Sequence, residues 1–157
     1  MKLDEIIKDE IRRSVAFFLD FTNLKTDSRG FGLTADSTKT PERASIASVG
    51  YALTTWVIAA ERGILPKDTA HRITVGTLKT LLNNASQFKG FFAHFLETET
   101  GKRYGKAEFS TIDTAICLNG VITASAYFHD EEISQLAEAV LERVDWVFLV
   151  FEQDGKA

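Results

Sequence analysis

Ala44-Ser45-Ile46-Ala47-Ser48-Val49-Gly50-Tyr51-Ala52-Leu53-Thr54-Thr55-Trp56-Val57-Ile58-Ala59-Ala60 contains no charged residue, and Thr114 to His129 repeats the condition further along the chain. Both stretches fall short of a membrane span, which needs roughly 20 predominantly apolar residues. Gly50, Gly120, Asn119 and several Ser and Thr dilute them further. A helix that is apolar or small-residue on every face has to be surrounded by other helices. The two stretches therefore predict inner helices of a layered helical assembly.

Outward from these two, the flanking segments read as amphipathic. Leu3, Ile6, Ile7, Ile11, Val15, Phe18, Phe21 and Leu24 recur at spacings of three and four, a helix with its charges on the far side. Residues 26 to 39 are rich in Asp, Ser, Thr and Gly, and Ser28-Arg29-Gly30 with Gly32 marks a sharply turning loop. Thr40-Pro41-Glu42 is expected to open the helix that holds the first uncharged stretch, with Gly63 closing it and Pro66 just beyond. Lys67 to Ala85 is amphipathic through Ala70, Ile73, Leu78, Leu81 and Leu82. Between Gln87 and Phe109 the period changes: Phe91 to Leu96 predicts a strand, Thr98 to Gly101 a turn, and Arg103 to Lys106 a return strand. Ser110-Thr111-Ile112-Asp113 resembles a capping box opening the second uncharged helix. Asp130 caps a fifth helix whose Ile133, Leu136, Ala137, Val140, Leu141 and Val144 point inward, and Val147 to Phe151 predicts a strand before a turn at Asp154-Gly155. Inner and outer helices thus alternate from residue 42 to 144. That order predicts a mainly all-α chain, a partial α/α toroid of alternating inner and outer helices with a small inserted β-hairpin, with residues 1–157 forming one domain.

Composition agrees with a globular domain. Of the 157 residues 45% are hydrophobic and 25% charged, and 18 Lys and Arg against 22 Asp and Glu leave a net charge of -4 with no basic cluster to neutralise phosphates. Nucleic acid and membrane are not expected partners. Cys117 stands alone and no C-x-x-C or Cys/His cluster is present, so neither a metal nor another cofactor is expected. Eight charges crowd the first thirteen residues where a secretory signal would need an apolar core, so a cytoplasmic location is expected for the chain as written.

Several phrases taken in order resemble a known family. Gly30-Phe31-Gly32-Leu33, Ala44 to Thr54, Ala60-Glu61-Arg62-Gly63, Gly90-Phe91-Phe92-Ala93-His94-Phe95-Leu96, Thr100-Gly101-Lys102-Arg103, Glu108-Phe109-Ser110-Thr111-Ile112-Asp113-Thr114-Ala115 and Arg143-Val144-Asp145-Trp146 look like the glucoamylase-like bacterial glycoside hydrolases that include endo-β-1,2-glucanases. The resemblance spans nearly the whole chain. It implies a six-hairpin α/α toroid with a sugar cleft at one end, lined by the loops that lead into the inner helices. By the same comparison the chain holds the N-terminal portion of that toroid, about two and a half hairpins. A half toroid leaves inner-helix surfaces uncovered, so self-association, or a second chain completing the toroid, is expected.

The resemblance directs attention to carboxylates. Glycoside cleavage uses two of them, roughly 5 to 9.5 Å apart, and Glu108 and Asp113 are the candidate catalytic pair. Glu108 precedes an inner helix beside Phe109, where partial desolvation is expected to raise its pKa and suit it as the acid. Asp113 falls in the helix's first turn, where the macrodipole favours its charge. It is cast as base or hydroxyl acceptor, with pure capping as the alternative. His94 is a candidate for touching a sugar hydroxyl, against the reading of a satisfied core histidine. Ser110 joins the substrate-binding candidates. Phe92 or Tyr104 could offer a flat face to a sugar ring, although aromatics in a hairpin more often pack. Arg29, Asp36 and Lys39 are candidates for the cleft's other side. Trp146 is expected in the core, Asp145 on a backbone amide, and Cys117 as a buried filler. The function so implied is a glycoside hydrolase acting on or binding β-linked glucan, with β-1,2-glucan in view. The alternative is a non-catalytic carbohydrate-binding or helical interaction module.

Overall fold

A small-residue crossing organises the molecule. In the computed structural model, which describes residues 3–150, helix α2 (Ile46–Glu61) lies against helix α4 (Thr111–Phe128). A Cβ built on Gly120 would stand 2.1 Å from the carbonyl oxygen of Gly50, and one on Gly50 would stand 2.6 Å from the Cα of Cys117. Backbone therefore meets backbone, and only glycine permits it. Val49, Ala52, Leu53 and Trp56 of α2 and Cys117, Val121 and Ala124 of α4 are fully buried around this crossing, which is why neither sequence carries a charge.

Three further helices flank the pair: α1 (Leu3–Phe21) against α2, α3 (Lys67–Asn83) against α2 and α5, and α5 (Glu131–Glu142) against α3 and α4. Ala70, Ile73, Leu78 and Leu81 of α3 are buried, as are Ile133, Ala137 and Val140 of α5. The amphipathic stripe of α1 is covered only in part: Val15 is buried, whereas Leu3, Ile6 and Ile7 stay exposed. The inner helices are likewise not enclosed on every face, since Tyr51, Ile112 and Ile122 face solvent. Among the described residues, no helix is long and apolar enough to cross a membrane.

Four strands join at the mouths of α2 and α4, and here the sequence reading needs correction. Thr40-Pro41-Glu42 does not open a helix. Arg43–Ser45 forms strand β1, and α2 begins only at Ile46. Long-range pairing wins over the local start signal: β1 runs antiparallel to β4 (Phe95–Glu97), with Ala44 opposite Leu96. The expected strand over 91–96 is broken into β3 (Phe91–Phe92) and β4, with β3 pairing back onto β2 (Gln87–Phe88). Of the expected return strand only Arg103 makes a bridge, to Leu96. The insertion is thus a patchwork that ties the 26–41 loop to the start of α4, through bridges Ala35–Ala44 and Ala93–Phe109. Gly32, at φ +83°, makes the turn expected of that loop.

At the end of the described chain the expected strand from Val147 is a 3-10 turn, Trp146–Leu149, capped by Asp145, whose carboxylate accepts from the Phe148 amide at 3.1 Å. Trp146 is 48% exposed, lying edge-on to Phe91 instead of entering the core. Phe151 and the Asp154-Gly155 turn lie outside the described residues. Cys117 is buried, and its desolvated thiol is pushed up to about 12.

Candidate functional site

The two inner helices open at the same end of the molecule because one loop caps both. The Ile46 amide at the start of α2 donates to the His94 carbonyl at 3.0 Å, and the Ser110 amide at the start of α4 donates to the Phe92 carbonyl at 3.0 Å. His94 and Glu108 are locked together first by backbone, His94 N–H donating to Glu108 C=O at 2.8 Å. Phe92 N–H is held by the Thr114 hydroxyl at 2.9 Å. The segment 92–94 is therefore fixed by both helices, and its one protruding polar side chain is that of His94.

His94 stands between two carboxylates. Its Nδ1 lies 2.8 Å from Glu108 Oε1 and its Nε2 lies 3.8 Å from Asp113 Oδ2. The first is a hydrogen bond; the second is beyond hydrogen-bond reach and is a close charge-to-ring contact only. Ser110 Oγ–H donates to Asp113 Oδ2 at 2.5 Å, while the Asp113 amide donates to Ser110 Oγ at 3.2 Å. Only half of a capping box exists. The Ser110 amide is used by Phe92, so the Asp113 carboxylate turns to the hydroxyl and to His94 instead.

Exposure grades across the cluster, from Asp113 at 16% through His94 at 27% to Glu108 at 68% of the side chain. The expectation of a desolvated, pKa-raised Glu108 is thus overturned. Its own backbone amide, and then the His94 hydrogen bond, hold its carboxyl below the usual carboxylate value against some desolvation, and the His94 and Arg103 charges add to the lowering. In this state Glu108 is an ionised acceptor and not a proton donor. Because the two carboxylates sit at opposite ring nitrogens, no single metal ion can be held by all three groups, and no metal-binding cluster occurs among the described residues.

Two residues that the sequence reading passed over extend the cluster. Phe95 stacks on the His94 ring, centroids 3.8 Å apart and planes 20° from parallel, and the Arg43 guanidinium lies over the other partner, 4.4 Å from the Phe95 centroid. Arg43 Nη2 donates to Asp36 Oδ2 at 3.0 Å. Asp36 is therefore brought to the cluster through Arg43 and Phe95. Arg43 escaped notice because its phrase reads as the first turn of a helix, and Phe95 because alternation along an unbroken strand would turn it away from His94.

The remaining candidates disperse. Tyr104 is half-buried, its amide donating to the Phe95 carbonyl at 2.9 Å, which places its backbone beside the cluster. Phe92 is 1% exposed and offers no open face to a sugar ring; it packs. Arg29 lies away from the cluster, with its carbonyl accepting from Asn84 at 2.8 Å near the end of α3. Lys39 is exposed and contributes no contact there.

No known family's sequence pattern matches the chain, and no curated protein matches it by sequence. Solved structures do. A provisionally named glucoamylase from Bacteroides uniformis superimposes with a TM-score of 0.81 at 19% identity, over 94% of this chain and 37% of that one. The chain has the fold of part of a glucoamylase-like α/α toroid. The same partial toroid matches the endo-β-1,2-glucanase from Chitinophaga pinensis, solved with sophorotriose and glucose, at a TM-score of 0.75 and 17% identity over 91% of this chain and 36% of that one. It also matches the β-1,2-glucanase from Parabacteroides distasonis at a TM-score of 0.78 and 18% identity, over 94% of this chain and 22% of that one. The chain thus spans between about a fifth and two fifths of these toroid proteins.

Proposed function

We propose that the cluster at the mouths of α2 and α4 binds β-linked glucan, β-1,2-glucan being the first candidate. In this reading the chain forms one wall of a glycoside hydrolase cleft, with Glu108 and Asp113 as its acid/base carboxylates. The observation that carries the reading is the His94 bridge. Two carboxylates and an imidazole held side by side by backbone are hydrogen-bond acceptors of the kind that vicinal sugar hydroxyls satisfy. The imidazole and its two contacts also keep the carboxylates within the upper limit of roughly 9.5 Å for a cleaving pair. In the uncovered chain Glu108 is ionised, so binding comes before turnover. Glu108 becomes a donor only when saccharide strips its water and raises its pKa.

Calorimetric titration with β-1,2-glucan fragments tests this, alongside release of reducing ends from the polymer. Saccharide binding that His94→Ala weakens by about tenfold or more, the scale of a lost hydrogen bond to a charged group, supports the site. Absence of heat with every β-glucan overturns it. If reducing ends appear, their loss in Glu108→Gln is expected.

A second reading is favoured by a different observation, the exposed apolar edges of α1 and α4. In this reading the chain is also a helical interaction module whose uncovered edges are met by another chain.

A further inference from the structure

His94 and Phe95 are neighbours in sequence whose rings lie face to face, centroids 3.8 Å apart. Alternation along a strand would put them on opposite faces, but His94 occupies the bend between β3 and β4, which turns it to Phe95's side. Phe95 is held in turn from the other strand. Arg43 pairs with Glu97 across the sheet and Ser45 with Phe95, so Arg43 is the diagonal neighbour of Phe95 on the same face. Its guanidinium lies over the Phe95 ring, 4.4 Å from the centroid. One face of a ring cannot hold both groups, so Phe95 is sandwiched between the guanidinium and the imidazole. Arg43 is itself tied twice to Asp36: its carbonyl accepts from the Asp36 amide at 2.9 Å, and its Nη2 donates to the Asp36 carboxylate at 3.0 Å. Its Nε–H is buried with no acceptor among the described residues, so the guanidinium keeps its place on the ring at the expense of a hydrogen bond.

At the far end of the stack the His94 backbone is already committed to Glu108 and Ile46. The stack fixes the plane of the imidazole. Within that plane the 2.8 Å hydrogen bond selects Nδ1 for Glu108 and leaves Nε2 on the Asp113 side. With Glu108 ionised, the proton of that bond resides on Nδ1, and neutral His94 presents Nε2 as a bare acceptor. We propose that Arg43 is a positioning residue of the candidate site: acting through Phe95, it holds His94 as the Nδ1–H tautomer on Glu108, with Nε2 kept as the acceptor offered to a sugar hydroxyl. The hydroxyl rests on the saccharide reading; the tautomer does not. The charged groups around the ring are Glu108, Asp113, Arg103 beside Glu108, and the Arg43–Asp36 pair. That pair is neutral as a unit, so Arg43 acts by ring contact and not by charge. A planar guanidinium stacks on an aromatic face, whereas a lysine ammonium is a compact point charge.

NMR of the imidazole nitrogens, recorded above the pH at which His94 titrates, tests this. Wild type is expected to show Nδ1 protonated and Nε2 bare. Arg43→Lys, Arg43→Ala and Phe95→Leu are each expected to lose this single form and to show His94 spread over both tautomers, as in a free side chain. Adding Arg43→Ala to Phe95→Leu is expected to change nothing further, the mark of one residue acting through another. Affinity for β-1,2-glucan is expected to fall in Arg43→Lys by no more than the loss of about tenfold expected of His94→Ala. Circular dichroism of each variant shows that the helices persist, and Arg43→Lys, which keeps the charge and most of the stem, decides the matter if the others unfold. A wild-type His94 protonated on Nε2 overturns the assignment, and His94 signals unchanged in both Arg43 variants overturn the positioning role. Lysine that preserves the wild-type tautomer makes charge the agent and overturns the stack. A further change on adding Arg43→Ala to Phe95→Leu overturns the route through Phe95. If the tautomer responds as expected while no β-glucan binds, the positioning role stands and the saccharide reading fails.

Discussion

His94 owes its position to hydrogen bonds made by its backbone, and the role proposed for it to what flanks its ring. Its amide and carbonyl are spent on Glu108 and Ile46, so the imidazole is presented at a fixed height between Glu108 and Asp113. Glu108 behaves accordingly. Its pKa is lowered on folding, first by its own amide and then by His94, so the stabilisation is present above the unfolded value and is lost as pH falls through the folded one. The window lies below the ordinary carboxylate value of 4.5. Glu108→Gln is therefore expected to lower the urea midpoint relative to wild type at neutral pH. That difference should close as the solution is taken below pH 4.5, and a gap that stays constant down to acid pH would contradict it. At this scale the sequence pointed to Glu108, Asp113 and His94, which the structure places side by side. It misjudged the environment of Glu108, because exposure belongs to the loop's path and not to the apolar neighbour Phe109.

The elements are decided by two kinds of contact with different reach. The α2–α4 crossing is written locally, in two uncharged stretches each with one interior glycine, and it is the part of the fold most legible from sequence. Gly120→Ala tests it. Alanine is the better helix former by about 1 kcal/mol, yet its Cβ would meet the Gly50 carbonyl oxygen at 2.1 Å with only backbone to yield. Overpacking of this kind costs about 1–3 kcal/mol or more, so the variant is expected to be destabilised in chemical denaturation, and a stabilised one would show that the crossing is not tight. The β1–β4 pairing is the opposite case. Thr40-Pro41-Glu42 carries a sound helix-start signal, but Ala44 faces Leu96 across the sheet, a partner fifty-two positions away that no window around residue 42 contains. The same pairing brings Arg43 onto Phe95 and so onto His94. The strand expected from Val147 fails for a related reason: apolar run and strand agree only where an edge exists to pair with, and Asp145 instead caps a single 3-10 turn.

Across the whole molecule stability is unevenly placed. Local opening is expected to be easiest where few apolar contacts are buried, so amide exchange should be slowest in α2 and α4 and fastest in the first turns of α1, where Leu3, Ile6 and Ile7 are exposed. The sequence by itself determined which segments are helices and which two pack innermost, because charge exclusion and helical period act within a few residues; Glu108, Asp113 and His94 were singled out by the resemblance and not by the period. Only the tertiary structure decided that Glu108 is solvated, that Phe92 is buried, that Arg43 and Phe95 support His94, and which edges stay open. Those outcomes depend on groups distant along the chain arriving at the same place, and proximity of that kind is fixed by packing and not by pattern.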